Sequence, residues 1–256
     1  MSAQHRPSSY KQTFDARAGT YNEATRRYPD ARENERKALL DLLDLKPGDR
    51  VCDTPAGGGF VADGITRDYG DAVKVVCVEP SAVFSEVIGT RFEVYNAPVE
   101  ATGLTSGSFN AVASLAGLHH VEDRQPIFSE WQRLLVAGGV VAVADAASGT
   151  GTAAFLNSFL DRYTPGGHKG IFFDAGEFTH GLERAGFEEV TEVLTSVPWT
   201  FRCVDDMVDF CTRLFDVKAG RCEVATALND TVGIVSTDSG VALQWELMYA
   251  RGCSAQ

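Results

Sequence analysis

The 256-residue sequence has no apolar run approaching the roughly twenty residues that a membrane-spanning helix needs. It is also poor in basic residues, with 23 Lys and Arg against 35 Asp and Glu, so the formal net charge is −12. An acidic chain is a poor partner for nucleic-acid phosphates and for an anionic membrane surface. We therefore expect neither a nucleic acid nor a membrane among its partners.

Metal-binding and disulfide patterns are also missing. The six cysteines are scattered without a C-x-x-C pair, and Cys52 and Cys77 fall in apolar segments where we expect them to be small buried hydrophobic residues. No cluster of ligand residues has the spacing of a zinc site, so we expect no metal. Residues 1–6 are followed by no apolar segment, which predicts no secretory signal and a cytoplasmic location.

Hydrophobic residues make up 44% of the chain, and short apolar segments alternate with helical patterns. This alternation predicts an α/β fold with a doubly wound, Rossmann-like sheet of seven strands, mostly parallel with a final antiparallel strand. The expected strands cover residues 50–54, 73–79, 91–95, 109–115, 140–145, 188–197 and 241–249. Gly138 and Gly139 are expected to separate the fifth strand from the helix before it.

The most informative segment joins the first strand to the next helix. Asp53 ends the strand, a glycine turn follows at 57–59, and Glu79 ends the next strand about twenty residues later. Glycines let the backbone approach a ligand, and an acid at this spacing can bind ribose hydroxyls. The pattern predicts a nucleoside-containing cofactor. Residues 57–62 also match G-x-G-x-x-A, the weak signature of a nicotinamide-dinucleotide site.

Two further features bear on which cofactor binds. About 45 residues precede the first strand, and the fourth strand leads into Leu118-His119-His120-Val121-Glu122-Asp123. Together with Asp53-x-Pro55-x-Gly57-x-Gly59, these segments resemble the class I S-adenosylmethionine-dependent methyltransferases. The resemblance is to the small-molecule group that includes quinone-biosynthesis and sugar O-methyltransferases. It implies S-adenosyl-L-methionine as the cofactor.

The resemblance also implies a set of cofactor-binding residues. At the adenine site the acid common in the family is replaced by Pro98, which leaves the Val99 N–H or Asn96 to bind the base. The implied cofactor site consists of Tyr21, Asp53, Pro55, Ala56, Gly57, Gly59, Glu79, Pro80, Pro98, Val99 and Leu115.

For catalysis, the resemblance implies His120 or His119 as a base, with Asp145 at the end of strand five as its partner or a second base. An uncharged histidine that only donates a hydrogen bond to the substrate is an equal alternative. His168 lies in a glycine-rich loop and is either a substrate contact or part of a surface turn. Trp199 and Phe201 are expected to contact the substrate.

We expect one domain over residues 1–256, with a helical lid at 1–45 and substrate-side excursions at 146–174 and 198–240. A helix is expected at 13–20. The charge run Glu33, Glu35, Arg36 and Lys37 is expected to form a solvated helix face.

The expected activity is methylation of a small-molecule acceptor, with oxygen favoured because possible bases are present. N- or C-methylation, an NAD-dependent oxidoreductase and a non-catalytic cofactor-binding protein remain alternatives. The sequence does not indicate which oligomeric state the protein has.

Overall fold

The main sheet has seven strands in the order β3-β2-β1-β4-β5-β10-β6. The computed structural model describes residues 10–255, with side chains from residue 18 onward, so the first nine residues of the expected lid lie outside the described part. The strands are β1 (Arg50–Asp53), β2 (Lys74–Val78), β3 (Glu93–Tyr95), β4 (Phe109–Leu115), β5 (Leu135–Asp145), β6 (Phe187–Ser196) and β10 (Glu246–Ser254). β1 to β5 pair in parallel, while β10 runs antiparallel to β5 and β6. The expected sheet is confirmed.

Helices cover both faces of this sheet. They are α1 (Tyr10–Arg27), α2 (Glu33–Leu43), α3 (Phe60–Tyr69), α4 (Ala82–Ile88), α5 (Gln125–Leu134), α6 (Gly151–Phe155), α7 (Asp161–Tyr163), α8 (Glu177–Arg184), α9 (Val204–Phe215) and α10 (Arg221–Thr231). Alternate strand residues point to opposite faces, so Val51 and Cys52 of β1 belong to different hydrophobic clusters. Among the described helices, none is long and apolar enough to cross a membrane.

Strand β1 lies between β2 and β4, so the chain builds one half of the sheet and then returns to build the other. The loops that follow the carboxyl ends of β1 and β4 therefore lead to opposite sides of the sheet. A crevice at such a switch point is where open α/β sheets bind ligands.

Two strand boundaries were predicted wrongly. β5 begins at Leu135 and contains Gly138 and Gly139, because the β4–β5 register shifts between Phe109 and Ala111 and an irregular strand tolerates glycine there. In place of the single strand expected at 241–249 there are two strands. Residues before Gln244 pair in a second, smaller sheet and residues from Glu246 pair in the main sheet.

The second sheet was not predicted. Its three antiparallel strands, in the order β7-β9-β8, are β7 (Trp199–Phe201), β8 (Ile234–Thr237) and β9 (Gly240–Leu243). Together with α9 and α10, this sheet extends from Trp199 to Leu243, three residues beyond the excursion expected at 198–240.

Helix α1 is longer than the helix expected at 13–20 and packs against α9. Tyr28 Oη donates a hydrogen bond to Asp209 Oδ2 over 2.9 Å, and Arg213 contacts Glu23 over 2.7 Å. This packing joins the N-terminal segment to the second excursion above the crevice.

Candidate active site

The glycine turn after β1 is fastened to the end of β2. The Ala56 N–H donates to the Val78 carbonyl over 2.9 Å, and the Gly57 N–H donates to Glu79 Oε2 over 2.7 Å. Glu79 Oε1 accepts a further hydrogen bond from the Ser81 N–H over 2.7 Å. The fully buried Glu79 carboxylate thus holds together the two loops that the sequence assigned to the cofactor.

Of the three glycines in this turn, Gly57 leaves room for a ligand. A Cβ on Gly57 would meet no atom within 4 Å, whereas a Cβ on Gly58 would lie 2.6 Å from Asn22 Oδ1 and one on Gly59 3.1 Å from Ile88 Cγ2. Gly57 also has φ of +52°, which favours glycine. The turn therefore presents its open backbone at Gly57, which fits the close approach of a nucleoside cofactor.

Asp53 lies behind the turn and not on the wall of a described cavity. Its Oδ2 accepts a hydrogen bond from the Ala62 N–H over 3.1 Å, in the first turn of α3, where the helix dipole favours negative charge. Burial raises the pKa of this carboxyl group to about 8, and the nearby Glu79 adds to the effect. In this geometry Asp53 is engaged with α3, and its contact with the cofactor stays a prediction.

A central cavity opens beside the turn and holds about 960 Å³ of empty space, including the part open to solvent. Most of the predicted site residues meet on its wall. They are Tyr21, Pro55, Ala56, Gly57, Leu115, His119, His120, Asp145, His168 and Trp199.

A second cavity adjoins the first, and Pro55, Gly117 and His120 line both. Pro80, Pro98 and Val99 lie on its wall, as the resemblance implied for adenine. Asn96 also lines it, but its Nδ2 donates to the carbonyl oxygens of Glu79 and Pro80 over 2.8 and 3.1 Å.

Three other predicted residues lie away from these walls. Gly59 is the N-cap of α3, Glu79 is buried under the turn, and Phe201 packs against Phe210 with ring centroids 5.4 Å apart. The ring of Phe201 belongs to the core between β7 and α9, and its contact with the substrate stays a prediction.

Asp145 and His119 form the best-defined polar pair in the central cavity. The carboxylate of Asp145 accepts the N–H groups of Leu118 and His119 over 2.7 and 3.1 Å, and that of Ala146 over 2.7 Å. His119 Nδ1 lies 2.5 Å from Asp145 Oδ1. Because the carboxylate accepts hydrogen bonds, Nδ1 of His119 is the donor to Asp145, which in a neutral ring leaves the lone pair on Nε2.

His120 and His168 complete a cluster with His119. One ring nitrogen from each of the three lies within 4.8 Å of the others. The sequence spacing did not predict this group of possible metal ligands. Residues 119–120 and 168 are far apart in sequence, so ligand spacing could not reveal the cluster.

Arg32 and Glu35 also line the central cavity, although the sequence placed Glu35 on a solvated face. Glu35 is fully buried and accepts hydrogen bonds from Arg32 and from Trp199 Nε1, the latter over 2.7 Å. Arg32 also donates to Tyr21 Oη over 2.9 Å. Although burial disfavours the charged guanidinium, Glu35 and Tyr21 raise the pKa of Arg32.

Comparison with known proteins agrees with this geometry. The family described as a methyltransferase domain matches residues 53–143. A demethylmenaquinone methyltransferase from Beutenbergia cavernae is 33% identical over 112 residues, which cover 43% of this chain and 46% of that protein. A glycine/sarcosine/dimethylglycine N-methyltransferase from Actinopolyspora halophila is 27% identical over 251 residues, covering 93% of this chain and 43% of that one. The chain thus spans a little under half the length of these relatives.

A solved structure from Thermotoga maritima has the same fold. It is a SAM-dependent methyltransferase described as a possible histamine N-methyltransferase, and it is 18% identical. The match has a TM-score of 0.65 and covers 96% of this chain and 99% of that one. With the glycine turn and the sheet order, these findings identify residues 53–143 as a methyltransferase domain within a class I methyltransferase fold, and they support S-adenosylmethionine as the cofactor.

Proposed function

We propose that the protein transfers the methyl group of S-adenosylmethionine to an oxygen atom of a small organic acceptor bound in the central cavity. The observation that carries this proposal is the shared cavity of Gly57, on the cofactor turn, and the histidine cluster with Asp145. In an in-line displacement the sulfur–methyl bond breaks as the oxygen–methyl bond forms, and S-adenosylhomocysteine leaves without needing a proton. Positioning and exclusion of water are the main demands on the protein.

The adjoining cavities suit the two ends of the cofactor. In this proposal the adenosine occupies the second cavity, between Pro80 and Val99, with Glu79 near the ribose. The methionine part then passes Gly57 toward Tyr21, whose ring packs edge-on against Phe84 with centroids 5.4 Å apart. Asp53 supports the turn from behind. This arrangement directs the methyl group into the central cavity.

An oxygen acceptor is favoured because a hydroxyl needs help to become a nucleophile, and the histidine cluster offers it. His119 Nε2 has its lone pair fixed by the contact of Nδ1 with Asp145. Such a nitrogen activates a hydroxyl either by accepting its proton or by binding a metal ion that acidifies it. His119 or His120, with Asp145 as partner, is therefore the activating group.

N-methylation is the second candidate. Trp199 and Trp245 stack with centroids 4.1 Å apart on the cavity wall, and Glu35 lies beside them. Aromatic faces with a nearby carboxylate suit a cationic amine. The Actinopolyspora relative, an N-methyltransferase by name, is consistent with this alternative.

The domain organisation belongs to the same proposal. The N-terminal segment up to residue 45 and the excursions at 146–174 and 198–240 form the cover of the central cavity, since Tyr21, His168 and Trp199 reach its wall from these three segments.

An acceptor screen with trideuteromethyl S-adenosylmethionine tests the proposal. Each small scaffold is supplied as matched alcohol, phenol and amine, and mass spectrometry detects the label on the product. Label on hydroxyl compounds supports O-methylation, and label on amines alone favours the second candidate. If the protein binds the cofactor but labels no acceptor, the proposal of methyl transfer is refuted in favour of a non-catalytic cofactor-binding protein.

A further inference from the structure

The three clustered histidines come from two segments that are fastened to each other. His119 and His120 belong to the 3₁₀ turn Leu118–His120, and His168 belongs to the loop between α7 and α8. The Ile171 N–H donates to the His119 carbonyl over 2.8 Å. Arg124 also donates to the carbonyl oxygens of Leu118 and Ile171. The backbones that carry the three rings are thus held in one place.

The protonation of two of the rings follows from their neighbours. Asn157 is oriented by Gly170, whose N–H donates to Asn157 Oδ1 over 2.7 Å and whose carbonyl accepts from Asn157 Nδ2 over 2.7 Å. His168 Nδ1 lies 3.1 Å from the same Oδ1, so it must be the donor. His119 Nδ1 donates to Asp145 in the same way. In the neutral form of each ring the lone pair is therefore on Nε2.

This pattern is the one that metal-binding histidines use. A ligating imidazole commonly donates its other N–H to a carboxylate or carbonyl oxygen, which fixes the tautomer and raises the basicity of the ligand. Asp145 and Asn157 are such acceptors for His119 and His168. Hydrogen bonds from the backbone further fix Asp145, and the anionic carboxylate partly balances the charge of a cation.

We propose that His119, His120 and His168 bind one divalent transition-metal ion, with zinc as the preferred ion. Three imidazole nitrogens suit zinc, whereas magnesium prefers oxygen ligands. A tetrahedral zinc site with bonds of about 2.0–2.1 Å requires ligand nitrogens about 3.4 Å apart. One nitrogen of each ring lies within 4.8 Å of the other two, so a displacement of about 1 Å for each nitrogen would bring the three to this spacing. No ion is present in the structure.

The fourth coordination position would face the central cavity, because all three histidines line its wall. Three protein ligands and one open position are typical of a catalytic zinc site. This inference rests on the proposed function and narrows its substrate class to an acceptor whose hydroxyl can coordinate the ion. The bound hydroxyl would lose its proton to solvent, and the resulting oxygen anion would attack the methyl group.

Metal binding to the untagged full chain tests the inference without measuring activity. The protein is stripped with a chelator, exposed to zinc or cobalt(II), freed of excess ion and analysed for metal content and for visible cobalt absorption. We expect about one ion per chain, tight enough to survive gel filtration, and no displacement by excess magnesium.

Variants locate the site. His168→Ala and His120→Gln should each weaken zinc binding at least tenfold, and Asn157→Ala should weaken it by about 10–100-fold through loss of the ring's partner. His180→Ala, on the exposed side of α8, is the matched control and should bind zinc as the wild type does. Binding of less than a tenth of an ion per chain, or unchanged affinity in both histidine variants, would overturn the inference.

Titration with S-adenosylhomocysteine is run on the stripped protein in parallel. Cofactor binding without metal binding refutes the metal site alone and leaves proton acceptance by histidine. Metal binding without cofactor binding refutes the proposed function instead. The cofactor titration also reports whether each variant is folded.

Discussion

The buried pair of Arg32 and Glu35 gives a quantitative prediction about stability. The side chain of Glu35 is fully buried and that of Arg32 is 7% exposed, so neither charge is balanced by water. Glu35→Ala leaves the guanidinium without its carboxylate and removes the acceptor of Trp199 Nε1. Loss of one partner of a buried pair costs about 3–5 kcal/mol. We expect the free energy of unfolding to fall by that amount.

Urea denaturation followed by circular dichroism measures this loss, and the same helix supplies a control. Lys37 and Asp41 form a pair on α2 with side chains 65% and 62% exposed. Asp41→Ala should cost far less than Glu35→Ala, since solvent screens an exposed pair. The double variant Arg32→Met/Glu35→Leu should lose less than Glu35→Ala, because it buries no unpaired charge. Equal losses for Glu35→Ala and Asp41→Ala would refute this account of the pair.

Three further predictions concern the turn and the cavity. Gly57→Ala should weaken binding of S-adenosylhomocysteine at least tenfold in calorimetry, because the added Cβ enters the cavity. Gly103→Ala is the control, since Gly103 also has a positive φ and open space around it. Both variants carry backbone strain of about 1–2 kcal/mol, but Gly103→Ala should bind S-adenosylhomocysteine as the wild type does. The pKa of Asp53 is about 8 in the folded protein, against an ordinary value of 3.8. The contribution of Asp53 to the free energy of unfolding is therefore greatest below about pH 4 and decreases as the pH rises toward 8. Asp53→Asn should therefore flatten this fall in urea titrations between these pH values, and an unchanged slope would contradict the raised pKa. Tyr21→Phe should keep most of the cofactor affinity, because the ring still contacts Phe84, whereas Tyr21→Ala should lose that affinity. Equal affinities of the two variants would show that the ring does not cover the cofactor.

The sequence predicted the part of the fold whose signals are local. Strand β4 has the predicted bounds, and β2 lies within one residue of its predicted bounds at each end. The glycine turn was recognisable because its glycines and the acids around it lie within about thirty residues. Each of these features depends on neighbours along the chain.

The missed features depend on contacts between distant segments. Glu35 sits in a run of charges that resembles a solvated face, and its burial depends on Trp199, which lies 164 positions away. The histidine cluster likewise forms only when the loop of His168 returns to the turn of His119. The β8–β9 hairpin had a local signal in its two-residue turn at Asp238 and Ser239, but the apolar residues that follow continue past Gln244 and suggested one strand.

The central claim is that the turn at Gly57 and the adjoining cavities bind S-adenosylmethionine. Calorimetric titration of the purified protein with S-adenosylmethionine, S-adenosylhomocysteine and NAD tests it most directly. We predict dissociation constants on the order of micromolar for both sulfur nucleosides, a binding free energy of about −8 kcal/mol, and no binding of NAD. Binding of NAD without either sulfur nucleoside would contradict the claim and identify residues 57–62 as a dinucleotide turn.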